Sequence, residues 1–183
     1  MRNFPLSAGT ACFVVALGLA NASAVRAATT VGSTIATGSA CQLSIPTTDT
    51  KFRPKATGAR NESTTTSNFV ICPIPSPVLN SGTDSFKLAA VYIYSIDGAS
   101  HDVTCTAVTG YNGSTNLKYS SKTLTVSSVY GAMGAPFLWS GADFGGANNI
   151  PIVGSATFSV TCLLPPQTAV NLFSGSYDYN IGA

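Results

Sequence analysis

The chain has one histidine, His101, and one glutamate, Glu62, and only 9% of its 183 residues are charged. Each scarcity excludes something. A single imidazole gives no histidine cluster for a transition metal and only one candidate for histidine-based acid–base work. The few carboxylates fall short of the dense acidic repeat of a calcium loop. After residue 27, seven basic side chains stand against seven acidic ones. There is no net positive field to hold a phosphate backbone, so nucleic acid is excluded as a partner class. No C-x-x-C pair occurs and the cysteine spacings are long, which argues against a redox pair or a zinc site. No stretch reaches the roughly 20 uninterrupted apolar residues of a membrane-spanning helix. Helical periodicity is absent beyond the N-terminus.

What is present begins with an export signal. Arg2 supplies a positive start, Ala8 to Ala20 form an apolar run, and Ala22-Ser23-Ala24 and Val25-Arg26-Ala27 offer two cleavage patterns. Residues 1–27 read as a signal peptide cut after 24 or 27, which sends the protein out of the cell or to the periplasm. Residues 28–40 are small and polar and read as a tail or an edge strand. Residues 41–183 suit one domain with a sizeable core.

Cys41, Cys72, Cys105 and Cys162 follow the signal. Export and an even count favour disulfides. Four cysteines allow three connectivities, and spacing does not choose among them. Alternation groups Val103, Cys105 and Ala107 on one face, and Phe158, Val160, Cys162 and Leu164 on another, so these thiols point inward. The reading placed first pairs Cys41 with Cys72 and Cys105 with Cys162, the second as a bridge across the core.

The rest reads as strands and turns. Asp49 to Ser67 is a polar loop with room for a short edge strand. Phe69 to Cys72 is a strand stopped by Pro73 and Pro75. Phe86 to Ile96 is apolar on both faces, with Phe86, Leu88, Ala90, Tyr92 and Tyr94 on one side and Ala89, Val91 and Ile93 on the other, which makes it central. Asp97-Gly98 and Asn112-Gly113 are turn signals, with Val103 to Thr109 returning between them. Leu117 to Ser120 and Thr123 to Val129 read as two more strands. Gly131 to Pro151 reads as a Gly-rich excursion, Ser155 to Leu164 as a strand ending at Pro165-Pro166, and Ser176 to Ile181 as the last strand. About eight short strands indicate an all-β fold, a single two-sheet antiparallel sandwich of jelly-roll type with two disulfides.

The pattern Ala40-Cys41-Gln42, Cys72-Pro73-Ile74-Pro75, Val103-Thr104-Cys105 and Cys162-Leu163-Leu164-Pro165-Pro166 resembles an uncharacterised family of small secreted bacterial β-sandwich proteins. Its motifs are structural, and the resemblance implies a secreted β-sandwich with no catalytic residues to carry over.

Candidate chemistry is thin. Ser100-His101-Asp102 holds a nucleophile, a base and an acid in a row, but neighbours on a chain point apart and a polar turn explains them better. Glu62, Asp84, Asp97, Asp102, Asp143 and Asp178 show no spacing that nominates a glycosidase pair. Asp143 with Asn148 and Asn149 is better read as a turn than as a calcium loop. Asn61-Glu62-Ser63 and Asn112-Gly113-Ser114 match glycosylation sequons. Two surfaces suggest binding. Lys51, Arg53 and Lys55, with Arg60 nearby, form a basic segment suited to anionic glycans or headgroups. Tyr111, Tyr119, Tyr130, Phe137 and Trp139 lie near loops and offer rings for sugar stacking.

The sequence therefore implies a non-enzymatic secreted module without cofactor or metal, its partner class a glycan or cell-surface polymer. The alternative is a pilin-like subunit whose segment Val31 to Thr37 adds a strand to the next copy. A secreted hydrolase is the distant third.

Overall fold

A computed structural model describes residues 28–45, 51–75, 86–113, 115, 117–127, 133–152 and 157–181. The signal segment with its cleavage positions, Asp84 and Tyr130 lie outside them. Two antiparallel sheets pack face to face. One has six strands in the order β3 (Phe52–Lys55), β4 (Gly58–Asn61), β11 (Thr168–Ile181), β6 (Phe86–Ser95) and β9 (Ala135–Ser140), with β1 (Ala28–Thr37) also paired to β11. The other runs β2 (Gln42–Leu43), β5 (Asn68–Ile74), β10 (Phe158–Leu164), β7 (His101–Thr109) and β8 (Lys118–Val126). The fold is an all-β two-sheet sandwich with two disulfides.

Period-two alternation sets the core. Val70, Cys72 and Ile74 of β5, Val160, Cys162 and Leu164 of β10, and Val103, Cys105 and Ala107 of β7 face inward and are buried. Opposite them lie Ala89, Val91 and Ile93 of β6, Phe137 and Trp139 of β9, and Phe173 of β11. Removing each such large side chain from water contributes roughly 1.5–3 kcal/mol. The strand β6 is central, as its two apolar faces imply, but its phase differs from expectation at one end. Register shifts between Ser176 and Tyr177 make Lys87 an extra residue, so Phe86 turns inward with Ala89 and Val91 rather than outward with Leu88. Phe86 then lies against Gly175, where a Cβ would stand 2.2 Å from its ring.

Both disulfides form in the pairing placed first, Cys41 with Cys72 and Cys105 with Cys162. The expected bridge across the core is corrected: Cys105 and Cys162 are directly opposed on the neighbouring strands β7 and β10, with Cα atoms 4.1 Å apart. Cys41, next to β2, joins Cys72 on β5. Both links staple the five-stranded sheet to itself.

Other elements also depart from the sequence reading. The polar stretch 49–67 holds the short edge strand allowed for it, β3, but in a hairpin with a second strand, β4, and the strand expected over Phe69 to Cys72 runs from Asn68 through Pro73 to Ile74. Proline is tolerated there because β2 covers β5 only at Val70 and Ile71, leaving one neighbour at Pro73. After Asp97-Gly98 the chain does not return beside β6 but crosses to the other sheet, where β7 pairs with β10 and β8. The Asn112-Gly113 signal does make the β7–β8 connection, Gly113 having φ 88°, and the two strands expected after it are one. The Gly-rich excursion contains β9, whose alternation is short and flanked by glycines. A 3-10 turn, Gly141–Phe144, follows it.

Side chains close the flanks. From β8, Lys118 and Lys122 point inward at the sheet edge and reach across to Phe144 O (2.7 Å) and Leu138 O (2.5 Å). Trp139 Nε1 donates back to Ser120 O at 3.1 Å. On the opposite flank, buried Asn61 donates through Nδ2 to Thr66 O, Leu164 O and Pro165 O at 2.9–3.0 Å.

Candidate functional site: an outer groove beside an edge strand

The outer face of the six-stranded sheet carries a rung of four residues on four adjacent strands. Ile35 of β1 opposes Ser174 of β11, Ser174 opposes Ala90 of β6, and Ala90 opposes Leu138 of β9. Large side chains at the ends and small ones between them leave a depression of about 150 Å³, with Leu88 and Tyr92 also lining it. Its walls are mostly apolar, with Ser33, Ser174 and Ser176 among them. Ile35 is 68% exposed, Leu138 41% and Leu88 39%, and Val31, two residues from the groove on β1, is 72% exposed.

The flanking strand β1 pairs with β11 along all ten residues, from Ala28 with Ile181 to Thr37 with Leu172. Its inward positions alternate with outward Val31, Ser33 and Ile35. Inward Gly32 lies under the ring of Tyr177, where a Cβ would meet ring carbons at 2.7 Å. Thr34 Oγ1 donates to Pro75 O at 2.9 Å, tying β1 to the facing sheet. Among the described residues no strand pairs with the other edge of β1.

The residues singled out in the sequence do not converge. Phe137 and Trp139 are fully buried, stacked 6.1 Å apart in the core, so neither offers a ring face to a sugar. The reason is the strand they form: in β9 odd positions point inward, and an alternating aromatic pair fills the sandwich. Tyr111 and Tyr119 are exposed. The basic segment is not one extended row, since Lys51 has φ 60° and only Arg53 and Lys55 lie on β3. Lys55 pairs with Glu62 at 3.0 Å, and Arg53 donates to Phe52 O at 3.1 Å while sitting opposite Arg60.

The titratable groups serve turns, caps and flanks. His101 Nε2 lies 2.9 Å from Asp97 Oδ1, which also accepts from Ser95 Oγ (2.8 Å) and Ala99 N (3.0 Å). The bond to His101, then those from Ser95 and Ala99, hold the Asp97 carboxyl down at about 2. Asp102, the other acid next to His101, instead accepts from Thr125 Oγ1 at 2.6 Å. This is a bonded turn, in which His101 is engaged by Asp97. Asp143 closes the capping box with Ser140 and takes Lys122 Nζ at 2.8 Å. Burial works to raise its pKa, but the bonds from Lys122 and Ser140 outweigh that and keep it below the ordinary value. Asp143 Oδ1 is thus engaged by the Lys122 ammonium. Asp178 pairs with Lys87. Asn61 of the first sequon is buried with its amide engaged.

Sequence reasoning missed the groove because its walls come from four strands distant in the chain. One signal was available: residues 28–37 hold ten residues with neither charge nor proline. Among the described residues, no helix is long and apolar enough to cross a membrane. The two disulfides fit a protein that works outside the reducing cytoplasm. No protein-family model matches the chain, and no curated protein and no solved structure matches it.

Proposed function

We propose that the protein is an exported bacterial module with a structural or binding duty outside the cytoplasm and no catalytic activity. One observation carries this reading: among the described residues His101 and the carboxylates are tied into a turn (His101 with Asp97), a cap (Asp143 with Lys122), a strand pair (Asp102 with Thr125) or ion pairs (Glu62 with Lys55, Asp178 with Lys87). The apolar groove and the exposed Tyr111 and Tyr119 are the surfaces suited to a glycan or other cell-surface polymer.

The test begins with export in a bacterial host. The product is expected to begin at Val25 or Ala28 and to carry two disulfides by mass. It is then incubated with polysaccharides and with ester and peptide substrates. Binding without turnover supports the reading, and turnover that disappears in a His101→Ala variant overturns it.

A second reading, an assembly subunit, is favoured by the outer edge of β1, with which no strand pairs among the described residues. In the strand-donation form, Val31 to Thr37 would leave its own sheet for the next copy. That strand is paired with its own β11 throughout, so assembly by adding edge to edge asks less of the fold.

A further inference from the structure

An unpaired strand edge is a template for another chain, and sheets protect their edges with charge, proline, inward-pointing charged side chains or brevity. Four outer strands here carry such a device. The strand β3 has Arg53, Pro54 and Lys55, β9 has Pro136, β8 turns Lys118 and Lys122 inward, and β2 is two residues long. The strand β1, Ala-Thr-Thr-Val-Gly-Ser-Thr-Ile-Ala-Thr, has none of them over ten residues, and both of its large apolar side chains face solvent.

We infer that the free edge of β1 pairs antiparallel with β1 of a second copy of this chain, forming a two-fold dimer with one continuous sheet. This rests on the assembly reading above. Symmetry limits the register. Centring the two-fold on Ser33 sets Val31 against Ile35 of the second copy, Gly32 against Thr34 and Thr29 against Thr37. Only this register brings the two exposed apolar side chains together, and it does so twice. No like-charged side chains meet across the axis because the strand has none, whereas self-pairing of β3 would bring Arg53 and Lys55 against their own kind. Val31 of the second copy then extends the groove wall at Ile35. One strand pair buries less than a permanent interface requires, so the dimer is concentration-dependent.

Sedimentation velocity of the processed, disulfide-bonded protein tests this. A shift from monomer to dimer is expected between roughly 1 μM and 1 mM. Ile35→Lys, which points into solvent in the monomer, is expected to abolish the shift while leaving the melting temperature within a few degrees. Ser33→Cys is expected to crosslink to itself on oxidation. Val31→Cys is expected to crosslink only when mixed with Ile35→Cys. A protein that stays monomeric throughout, a dimer that survives Ile35→Lys, or crosslinking of Val31→Cys to itself overturns the inference. A monomer would leave the exported, non-catalytic reading standing, since substrate turnover decides that separately.

Discussion

Lys122, on the edge strand of the five-stranded sheet, holds its ammonium 2.8 Å from the carboxylate of Asp143, in the turn that follows the edge strand of the other sheet. The same nitrogen donates to Leu138 O and lies 6.0 Å from the Trp139 ring centroid. With Lys118 and Trp139, this side chain closes the flank of the sandwich. Replacing Lys122 by Met is expected to destabilise the protein by about 1–2 kcal/mol at neutral pH. Asp143 has its pKa lowered on folding, so its contribution is present above the ordinary carboxylate value and is lost as pH falls through the lowered one. Urea denaturation should show the variant and the wild type converging in acid. An undiminished difference there would assign the loss to packing of the lysine stem.

The two disulfides close chain separations of 31 and 57 residues. Removing either pair by double alanine substitution is expected to cost roughly 4 kcal/mol on the chain-entropy model, slightly more for the longer loop. Guanidinium unfolding measures both. A loss below about 1 kcal/mol would show that the reduced chain already holds these strands together.

Asp97 is expected to titrate with a midpoint of about 2 in a carboxyl-detected NMR experiment. His101→Ala removes the largest cause and should move the midpoint toward 3.8. The turn's contribution to stability is therefore full above 3.8 and declines as pH drops toward 2. A midpoint unmoved by the substitution would mean that the Ser95 and Ala99 bonds act alone.

Trp139 is the sole tryptophan and is fully buried. Its emission should be blue-shifted and protected from acrylamide, and Trp139→Ala should cost about 3–5 kcal/mol. Glycan binding, where found, should instead respond to substitutions at Tyr111 or Tyr119. Ready quenching of the native fluorescence would contradict the burial.

Asn61→Asp would set a carboxylate against three carbonyl oxygens that now accept from the amide. A loss of about 2–3 kcal/mol or more is expected in thermal melts. Expression in a glycosylating host should leave Asn61 unmodified, which peptide mass mapping checks.

Two-residue periodicity made the inward cysteines, the central position of β6 and the two-sheet class legible, because a half-buried strand writes its burial directly into the sequence. Phe86 and Trp139 were less readable. One extra residue at Lys87 reverses the face of Phe86, and such a bulge depends on the partner strand. Flanking glycines masked β9, although Ala135, Phe137 and Trp139 alternate. The Cys105–Cys162 geometry was beyond local reading, because a thiol pointing inward looks the same whether its mate is beside it or across the core. The groove needed four strands in register, which no local pattern encodes.

Ala28 and Ile181 face each other at one end of the β1–β11 ladder. A load hung between these two residues would act perpendicular to the strands and is expected to open β1 from β11 one rung at a time, as a zip opens, instead of shearing ten rungs together. The tear runs as far as Cys41, where the covalent link to Cys72 passes the strain into the stapled plate.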